Sequence, residues 1–373
     1  MNTDINSNTP LSEEERELLS QVGYQKDDES CGTSVIVDHK VKYSMSNDKD
    51  HLEILPLKEA LEKYDWVQDL MFKLIDPEEN EHIKQAFETI DEPLGHFIWV
   101  KEGADVKLPI QKFSLIETPQ SRQFTHDITV IDKGAKVELI SGSSVPNKVH
   151  AGHHISVSET YIREGAFYKS TSIEHWAPNM EVYSYERTQM DMDAHSVSKS
   201  IMVNPIKHHY SQSKEYIGKN ASNKEETIIS AQPGTHYEME SETYLQGEDS
   251  QSEQLTRMVS AGGDIINRNL LIGDAKNCKG FVGCDGIKLS SEGEILSIPA
   301  LLAKDPNAQL SHEASISMIS AEKISYLMAT GVSEDTARSL LIQGFLNLKE
   351  KNIPVSVRDS IEKVVEMAKS GGM

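Results

Sequence analysis

The hydrophobic pattern of the chain changes its period twice. Apolar positions recur with mainly helical spacing from residue 1 to about residue 95, for example at Leu57, Leu61 and Leu74. From residue 96 to about residue 320 apolar and polar residues alternate, as in β-strands. Helical spacing returns from residue 321 to 373. The pattern therefore predicts a mostly helical N-terminal region, a β core and a C-terminal helical region.

Helix-capping residues support both helical regions. "LSEEERELLSQVG" begins with Ser12 at a predicted N-cap and carries acids in its first turn. After residue 320, "SAEKISYLMATGV", "SEDTARSLLIQGFLNLKEKN" and "PVSVRDSIEKVVEMAKS" predict three helices. The second places Leu340, Leu341 and Phe345 on one face. From the spacing alone, this stripe fits packing within a helical cap better than a partner-binding face.

A repeated corner motif characterises the alternating region. A turn residue followed by Ala leads into a strand-like run at five places: Gly134, Gly165, Asp193, Asp274 and Asn307. Gly, Asp and Asn tolerate the backbone angles of tight turns, and Ala is small enough for a corner. Short strands with repeated corners and no long helices between them favour stacked rungs of a β-solenoid. An antiparallel sandwich is the alternative.

Composition limits the classes of partner. The 373 residues carry a formal net charge of −22, which disfavours nucleic acid and anionic membrane surfaces as partners. No apolar run approaches the roughly 18 residues of a membrane span. The polar, acidic start "MNTDINSNTPLSEEERELL" has no apolar segment typical of a signal peptide. We therefore expect a cytoplasmic protein.

The cysteines exclude two common kinds of site. There are three, Cys31, Cys278 and Cys284, and no CxxC motif. This sparse, odd set does not indicate a disulfide framework or a standard structural zinc site. Three thiolates also cannot complete a four-cysteine iron–sulfur site within one chain. A cluster would need other ligands or a second subunit.

Three residues near the end of the β region form one candidate site. Cys284 in "FVGCDGI" and the adjacent His312 and Glu313 in "LSHEAS" lie on predicted neighbouring rungs. Thiolate with imidazole or carboxylate suits iron or sulfur chemistry. Alternation places His312 and Glu313 on opposite faces of their strand, so at most one points inward. The alternative is a buried core cysteine beside a solvated strand.

A second candidate site lies in "QMDMDAHS". Asp191, Asp193 and His195 are spaced to share one strand face, which suits either a metal site or an ordinary wet surface. A β-helix with clustered Asp could be a carbohydrate-active enzyme. The chain contains neither a P-loop motif nor a GxSxG motif.

Four sequence blocks stand out along the chain: "PLKEALEKYDWVQDLMFKLIDPEEN", "GHFIWVKEGADVKLPIQ", "QFTHDITVIDKGAKVELISG" and "LSHEASISMISAEKISYLMATGVSEDTARSLLIQGF". In this order they resemble the SufB/SufD family of iron–sulfur cluster assembly proteins. The last block is the most specific. The resemblance covers most of the chain.

The resemblance implies a right-handed parallel β-helix core between helical regions. It implies a scaffold without enzyme activity of its own, on which a transient iron–sulfur cluster is assembled for recipient apo-proteins. It also implies a SufC-type ABC ATPase docked on the C-terminal helices, near Leu340, Leu341 and Phe345. Two β-helices pair in this family, so the chain is expected to dimerise with itself or with a SufB/SufD paralogue.

The resemblance also assigns site residues. Cys284 and the pair His312 and Glu313 match the SufB type, in which they would bind the cluster, whereas SufD-type chains usually lack the glutamate. A SufD-like subunit without its own cluster is the alternative. Trp176 matches a tryptophan on the family's interior sulfur path. Departures occur where many SufB chains have a second cysteine, a Lys-Arg pair and a Gln: here these are Ser143, Glu186 with Arg187, and Glu174.

Overall fold

From His96 onward, successive strands alternate between two sheets in the computed structural model, which describes residues 9–88 and 92–346. The helices are α1 (Glu13–Ser20), α2 (Leu57–Lys63), α3 (Asp65–Gln68), α4 (Glu81–Glu88), α5 (Ala321–Ala329) and α6 (Glu334–Leu346). The strands are β1 (Gly32–Val37), β2 (Lys40–Ser46), β3 (Leu52–Pro56), β4 (His96–Val100), β5 (Ile110–Leu115), β6 (Arg122–Ile131), β7 (Lys136–Ser144), β8 (Ala151–Ile162), β9 (Phe167–His175), β10 (Asn179–Met190), β11 (His195–Met202), β12 (His208–Ile217), β13 (Ser222–Ala231), β14 (His236–Leu245), β15 (Gln251–Ser260), β16 (Asp264–Gly273), β17 (Lys279–Lys288), β18 (Ile295–Ala303) and β19 (Gln309–Met318).

The strand order is that of a parallel β-solenoid. Sheet A runs β19-β17-β15-β13-β11-β9-β7-β5-β1-β2, and sheet B runs β18-β16-β14-β12-β10-β8-β6-β4-β3. From β4 onward each strand pairs in parallel with the strand two places further along the chain. Each pair of strands, from β4–β5 to β18–β19, is one turn. The predicted β-solenoid is confirmed, and the antiparallel sandwich is wrong.

Three of the five predicted corners depend on left-handed backbone, and Asn307 is not among the residues that adopt it. Gly134, Gly165 and Asp193 have φ of 67°, 67° and 58°, and the alanine that follows each is fully buried. The corner predicted at Asp274 is displaced: the left-handed residue is Asn277, with φ 59°. The buried small residue after it is Cys278. This cysteine therefore occupies the structural position that alanine fills at the other corners.

The N-terminal region contains strands as well as the predicted helices. Helix α1 is capped by Ser12, whose side chain accepts the N–H of Glu15 while the Glu15 side chain accepts the N–H of Ser12. However, β1 pairs with β5 and β3 pairs with β4. The prediction of a mostly helical region overlooked these strands because they are short and separated by turns. They extend both sheets beyond the first turn of the solenoid.

The segment after Pro56 is a broken helix rather than a continuous one. Helix α2 ends at Lys63 and the short α3 follows. Phe72 then adopts a left-handed φ of 55°. Buried Glu159 on β8 accepts the N–H groups of Phe72 and Leu74, at 2.8 and 2.6 Å, which fixes this turn against sheet B.

The C-terminal helices begin where the capping residues predict. Ser320 caps α5 by accepting the N–H of Lys323 at 3.2 Å. The third predicted helix, "PVSVRDSIEKVVEMAKS", and the end of the second, "NLKEKN", lie outside the described residues. Among the helices that the structure describes, none is both long and apolar enough to cross a bilayer.

Candidate functional site: an interior polar column and the open end of the solenoid

A column of hydroxyl side chains runs along the inner face of sheet A. Its members pair in register on successive strands, so they project from one line into the space between the sheets. This hydroxyl line consists of Ser141, Ser172, Ser200, Thr227 and Thr256. The next residue in register after Thr256 is Cys284. Solenoid interiors are normally filled by aliphatic side chains, so this continuous polar line is a distinctive feature of the fold.

Polar side chains of sheet B meet the hydroxyl line at Cys284. The Sγ atom of Cys284 accepts a hydrogen bond from Asn267 Nδ2 at 3.4 Å and donates to Asn269 Oδ1 at 3.7 Å. Both asparagines are buried on β16. Burial raises the pKa of the Cys284 thiol, and hydrogen bonds from Ser297 and Asn267 offset only part of this effect. Within a single chain the Cys284 thiol is therefore favoured in its neutral form.

An interior cavity of about 80 Å³ lies beside the hydroxyl line. This is room for several water molecules. Glu174, Glu186 and Glu225 line it together with His209. Burial raises the pKa of Glu174 to about 7 and that of Glu225 to about 7, the latter also because of the nearby Glu186 charge. Burial lowers the pKa of His209 to about 4, so its imidazole is neutral.

Trp176 is hydrogen-bonded to Glu174, one of the carboxylates that line this cavity. Its Nε1 donates to Glu174 Oε2 at 2.8 Å, and its ring packs on His154 with centroids 5.1 Å apart. The same Glu174 oxygen lies 3.5 Å from His209 Nδ1. Glu174 is paired in register with Ser143, where many SufB chains have a second thiol. The predicted sulfur-path residue thus borders a carboxylate-rich interior without a thiol at that point.

His312 and Glu313 occupy the last strand of sheet A. His312 pairs in register with buried Val282, which places it on the inner-facing line, and Glu313 pairs with Gly283 on the outer-facing line. Both side chains are exposed, because no described strand of the sheet covers β19. Cys284 follows Gly283 on the neighbouring strand β17. Its side chain therefore shares the inner face with His312 but not with Glu313. One chain therefore does not direct all three predicted ligands to one point.

The end of the solenoid at β18 and β19 exposes apolar residues. On β18 the outward side chains Leu296, Ile298 and Leu302 are 43–46% exposed. On β19 the inward side chain of Ile316 is 42% exposed and Met318 is 51% exposed. Both strands lie at the edge of their sheets. We refer to this surface, formed by the exposed side chains of β18 and β19, as the open end.

The three predicted partner-binding residues of α6 differ in exposure. Leu340 is 48% exposed, while Leu341 is half-buried and Phe345 packs against the apolar cluster beneath the helix. The face that α6 buries contains Ala337, Ile342 and Leu346. Tyr326 and Met328 of the neighbouring α5 are also exposed, at 73% and 43%.

The second candidate site is not a strand face. Strand β10 ends at Met190 and β11 begins at His195, so Asp191 and Asp193 lie in the turn between them. Asp191 pairs with Arg163 at 3.5 Å, and Asp193 is the left-handed corner residue. The prediction that these residues share one face with His195 is therefore wrong, because corner geometry and not strand alternation governs this stretch.

Two features were not predicted from the sequence: the hydroxyl line, and the buried ion pair between Arg187 and Glu79. Arg187 points away from the interior and is fully buried under the segment before α4, where its Nη2 atom donates to Glu79 Oε1 at 2.9 Å. The signal for the hydroxyl line was present as serines at alternate positions of "FYKSTS" and "HSVSKS". Its meaning requires the register between strands, which the pattern of one strand does not contain.

Comparison with known proteins identifies the family to which the sequence is similar. The sequence model described as "SUF system FeS cluster assembly, SufBD core domain" matches residues 114–345. An iron–sulfur cluster assembly SufBD family protein of Archaeoglobus fulgidus is 32% identical over 354 residues, which are 95% of each chain. One of Pyrococcus horikoshii is 28% identical over 99% of this chain and 84% of its own, and one of Staphylococcus aureus is 25% identical over 75% and 61%.

The family match spans the hydroxyl line, Cys284, the open end and most of α6. The match to the archaeal relative extends over nearly the whole length of both chains. The chain therefore belongs to the SufBD family of iron–sulfur cluster assembly proteins.

Proposed function

We propose that this chain is a SufB-like scaffold that assembles a transient iron–sulfur cluster at the open end of the solenoid. The observation that carries the proposal is the position of Cys284. The thiol terminates the interior hydroxyl line one strand before the uncovered edge. Thiolate, imidazole and carboxylate together give iron a labile set of ligands, which suits a cluster that is handed on to recipient apo-proteins.

The proposed cluster site lies between two chains. Cys284 and His312 face inward, whereas Glu313 faces outward on the neighbouring strand. A second copy paired at the open end would bring its own Glu313 toward the first chain's Cys284 and His312. In a two-fold dimer each chain would give and receive the same contact. Two chains would then supply the ligands that one chain lacks.

The exposed apolar residues of the open end support dimerisation. Leu296, Ile298 and Leu302 form a row on an edge strand, and edge strands also present unpaired backbone N–H and C=O groups. A second β-strand edge would cover the apolar side chains and also pair with the backbone N–H and C=O groups. The partner is a second copy of this chain or a SufB/SufD paralogue.

We propose that the C-terminal helices bind a SufC-type ABC ATPase. Exposed Tyr326, Met328 and Leu340 supply apolar contact area on α5 and α6. Leu341 and Phe345, being partly buried, would fix the helix in place and add contact only at its edge. The ATPase would contribute the nucleotide-binding loop that this sequence lacks.

The interior column is the proposed route to Cys284. It starts near Trp176 and Glu174 and continues through the hydroxyl line. Because Ser143 and Glu186 replace groups typical of SufB, a chain of persulfides along the column is not supported by these residues. We propose that sulfur arrives as sulfide.

A SufD-like structural subunit is the second candidate. The observation that favours it is the burial of Cys284, which is 1% exposed and whose thiol has a raised pKa. A neutral, buried thiol is a poor iron ligand. In this case the open end would be an interface only, and the cluster would form on a paralogue.

Anaerobic reconstitution distinguishes the two candidates. The full chain with its SufC-type ATPase is incubated with ferrous iron and sulfide, and visible and Mössbauer spectra are recorded for wild type, Cys284→Ala, Glu313→Ala and Cys278→Ala. Cys278 is the matched control because it is a buried cysteine at a solenoid corner where alanine is the usual residue.

A scaffold requires a cluster in wild type and in Cys278→Ala, and its loss in Cys284→Ala and Glu313→Ala. A wild-type complex that binds the ATPase but forms no cluster would instead identify a SufD-like subunit. Equal cluster content in wild type and in Cys284→Ala would reject the proposed ligand.

A further inference from the structure

The outer face of sheet B carries a row of imidazole and carboxylate side chains, on the opposite side of the sheet from the interior column. Its members lie in register on five neighbouring strands, one on each of β8, β10, β12, β14 and β16. They are His153, Glu181, His208, His236 and Asp264. Neighbouring strands are about 4.8 Å apart, so residues that share such a row are within reach of one another.

The middle of the row gathers three groups that bind metals. One ligand atom each from His208, His236 and Glu238 lies within 4.8 Å of the others. The two imidazole rings are stacked, with centroids 5.4 Å apart and planes inclined by 23°. All three residues are half-buried. Small side-chain rotations would bring atoms at this separation to the roughly 3.4 Å between two ligands of one tetrahedral ion.

The surroundings hold these three residues in place. Arg268 on the next strand pairs with Glu238 through Oε1, which leaves the second carboxylate oxygen for another partner. Asp264 Oδ2 lies 3.8 Å from His236 Nδ1. The ring of Tyr183 packs edge-on against His208 with centroids 5.6 Å apart. Such neighbours orient ligands around metal ions in proteins.

We propose that His208, His236 and Glu238 bind one divalent transition-metal ion on the outer face of sheet B. Two imidazoles and one carboxylate suit Zn²⁺, Fe²⁺ or Co²⁺ and leave at least one coordination position for water. Ca²⁺ and Mg²⁺ prefer oxygen ligands and are disfavoured here. The ion would link β12 and β14 and is independent of cluster formation at Cys284.

A Co²⁺ titration tests the site. The full chain is treated with a chelator and titrated with Co²⁺ by calorimetry and visible absorption, in a Cys284→Ala background so that this thiol does not contribute. His208→Gln, His236→Gln and Glu238→Gln are compared with His195→Gln, an exposed histidine on the other sheet. Each of the three variants is expected to weaken binding more than about tenfold, and the control to leave it unchanged.

Thermal unfolding gives a second readout that also checks folding. Metal that binds the folded chain raises its melting temperature, so Co²⁺ should stabilise the background protein and His195→Gln but not His236→Gln. The three replaced side chains are half-exposed, so the apo variants should unfold at the same temperature as the apo background protein. Unchanged Co²⁺ affinity in both His208→Gln and His236→Gln, or no Co²⁺ binding in the background protein, would overturn the proposal.

Discussion

The two ends of the solenoid are finished in different ways. At the N-terminal end β1 and β3 add a further strand to each sheet, and the inner residue Ile98 of β4 is 1% exposed beneath Ile54. At the C-terminal end β19 is the last strand of its sheet, and the inner residue Ile316 is 42% exposed. An inward-facing isoleucine is thus part of the core at one end and part of the surface at the other.

This difference separates stability from interaction. A solenoid needs a cap to protect its last apolar layer, and the N-terminal end has one. The open end instead retains apolar side chains and two edge strands, which proteins avoid exposing unless another surface covers them. The cysteine at the end of the polar column lies next to this uncovered edge. We therefore interpret the N-terminal end as structural and the open end as functional.

The largest expected effect compares the two isoleucines directly. Ile98→Ala removes a fully buried side chain and should lower the free energy of unfolding by about 2–5 kcal/mol at any protein concentration. Ile316→Ala should cost less than about 1 kcal/mol in dilute protein, because much of its side chain is already in water. Chemical denaturation at two protein concentrations measures both values. Equal losses in the two variants would remove the distinction between the ends.

The next prediction concerns association. Ile298→Asp places a charge in the apolar row of β18 and should weaken dimerisation by about 3 kcal/mol, since a buried unpaired polar group is costly. Met192→Asp, at an exposed turn away from the open end, is the control. Analytical ultracentrifugation of both variants measures the dissociation constants. A dimer that tolerates Ile298→Asp would mean that the open end is not the interface.

A smaller effect is expected from the interior between the two ends. Burial raises the pKa of Glu174 from 4.5 to about 7, so the folded chain binds this proton more tightly than the unfolded chain. The stability that follows is present below pH 4.5 and is lost as the pH rises through about 7. Neighbouring His209 stays neutral above pH 5, because its pKa is lowered to about 4.

Wild type loses this stability between pH 5 and pH 8, whereas Glu174→Gln does not. The free energy of unfolding of Glu174→Gln should therefore rise by on the order of 2 kcal/mol relative to wild type over this pH range, after allowance for the partial exposure of the side chain. Urea denaturation at both pH values measures the difference. Glu292→Gln, on an exposed turn, should follow wild type at both. A pH-independent difference between Glu174→Gln and wild type would show that the interior carboxylate does not titrate in this range.

The smallest expected effect is at the cap of α1, which packs on the outer side of sheet A. Ser12→Ala removes the reciprocal hydrogen bonds with Glu15 and should cost about 1 kcal/mol without changing dimerisation. Ser320→Ala removes the cap of α5 near the open end and should cost a similar amount. Thermal denaturation measures both. The two variants should lose similar stability, so they would differ only if Ser320→Ala also weakens binding of the ATPase.

Local signals predicted most of the architecture. Alternation and left-handed corners such as Gly165 indicated the solenoid, and Ser12 and Ser320 marked the starts of helices, because each depends on residues close in sequence. The corner at Asn277 and the strands β1–β3 were missed. The strands were overlooked because they are short and separated by turns, and the corner because a cysteine follows Asn277 where alanine follows the other corners.

The candidate site was only partly predictable from the sequence. Alternation predicted that His312 and Glu313 face opposite sides, and the register of β19 agrees. The hydroxyl line, the asparagines around Cys284 and the row of His208 and His236 depend on register across many strands. The ligand roles of Cys284, His312 and Glu313, and the partner contacts of Leu340, stay predictions.

The most direct test of the account asks whether two chains complete one cluster site. Cys284→Ala and Glu313→Ala chains carrying different tags are coexpressed, and tandem purification isolates dimers that contain one chain of each kind. After anaerobic reconstitution with the ATPase, iron and sulfide are measured per dimer. If Cys284 of one chain works with Glu313 of the other, the mixed dimer keeps one intact site and should hold about half of the wild-type cluster. A mixed dimer as empty as either variant alone would contradict the account.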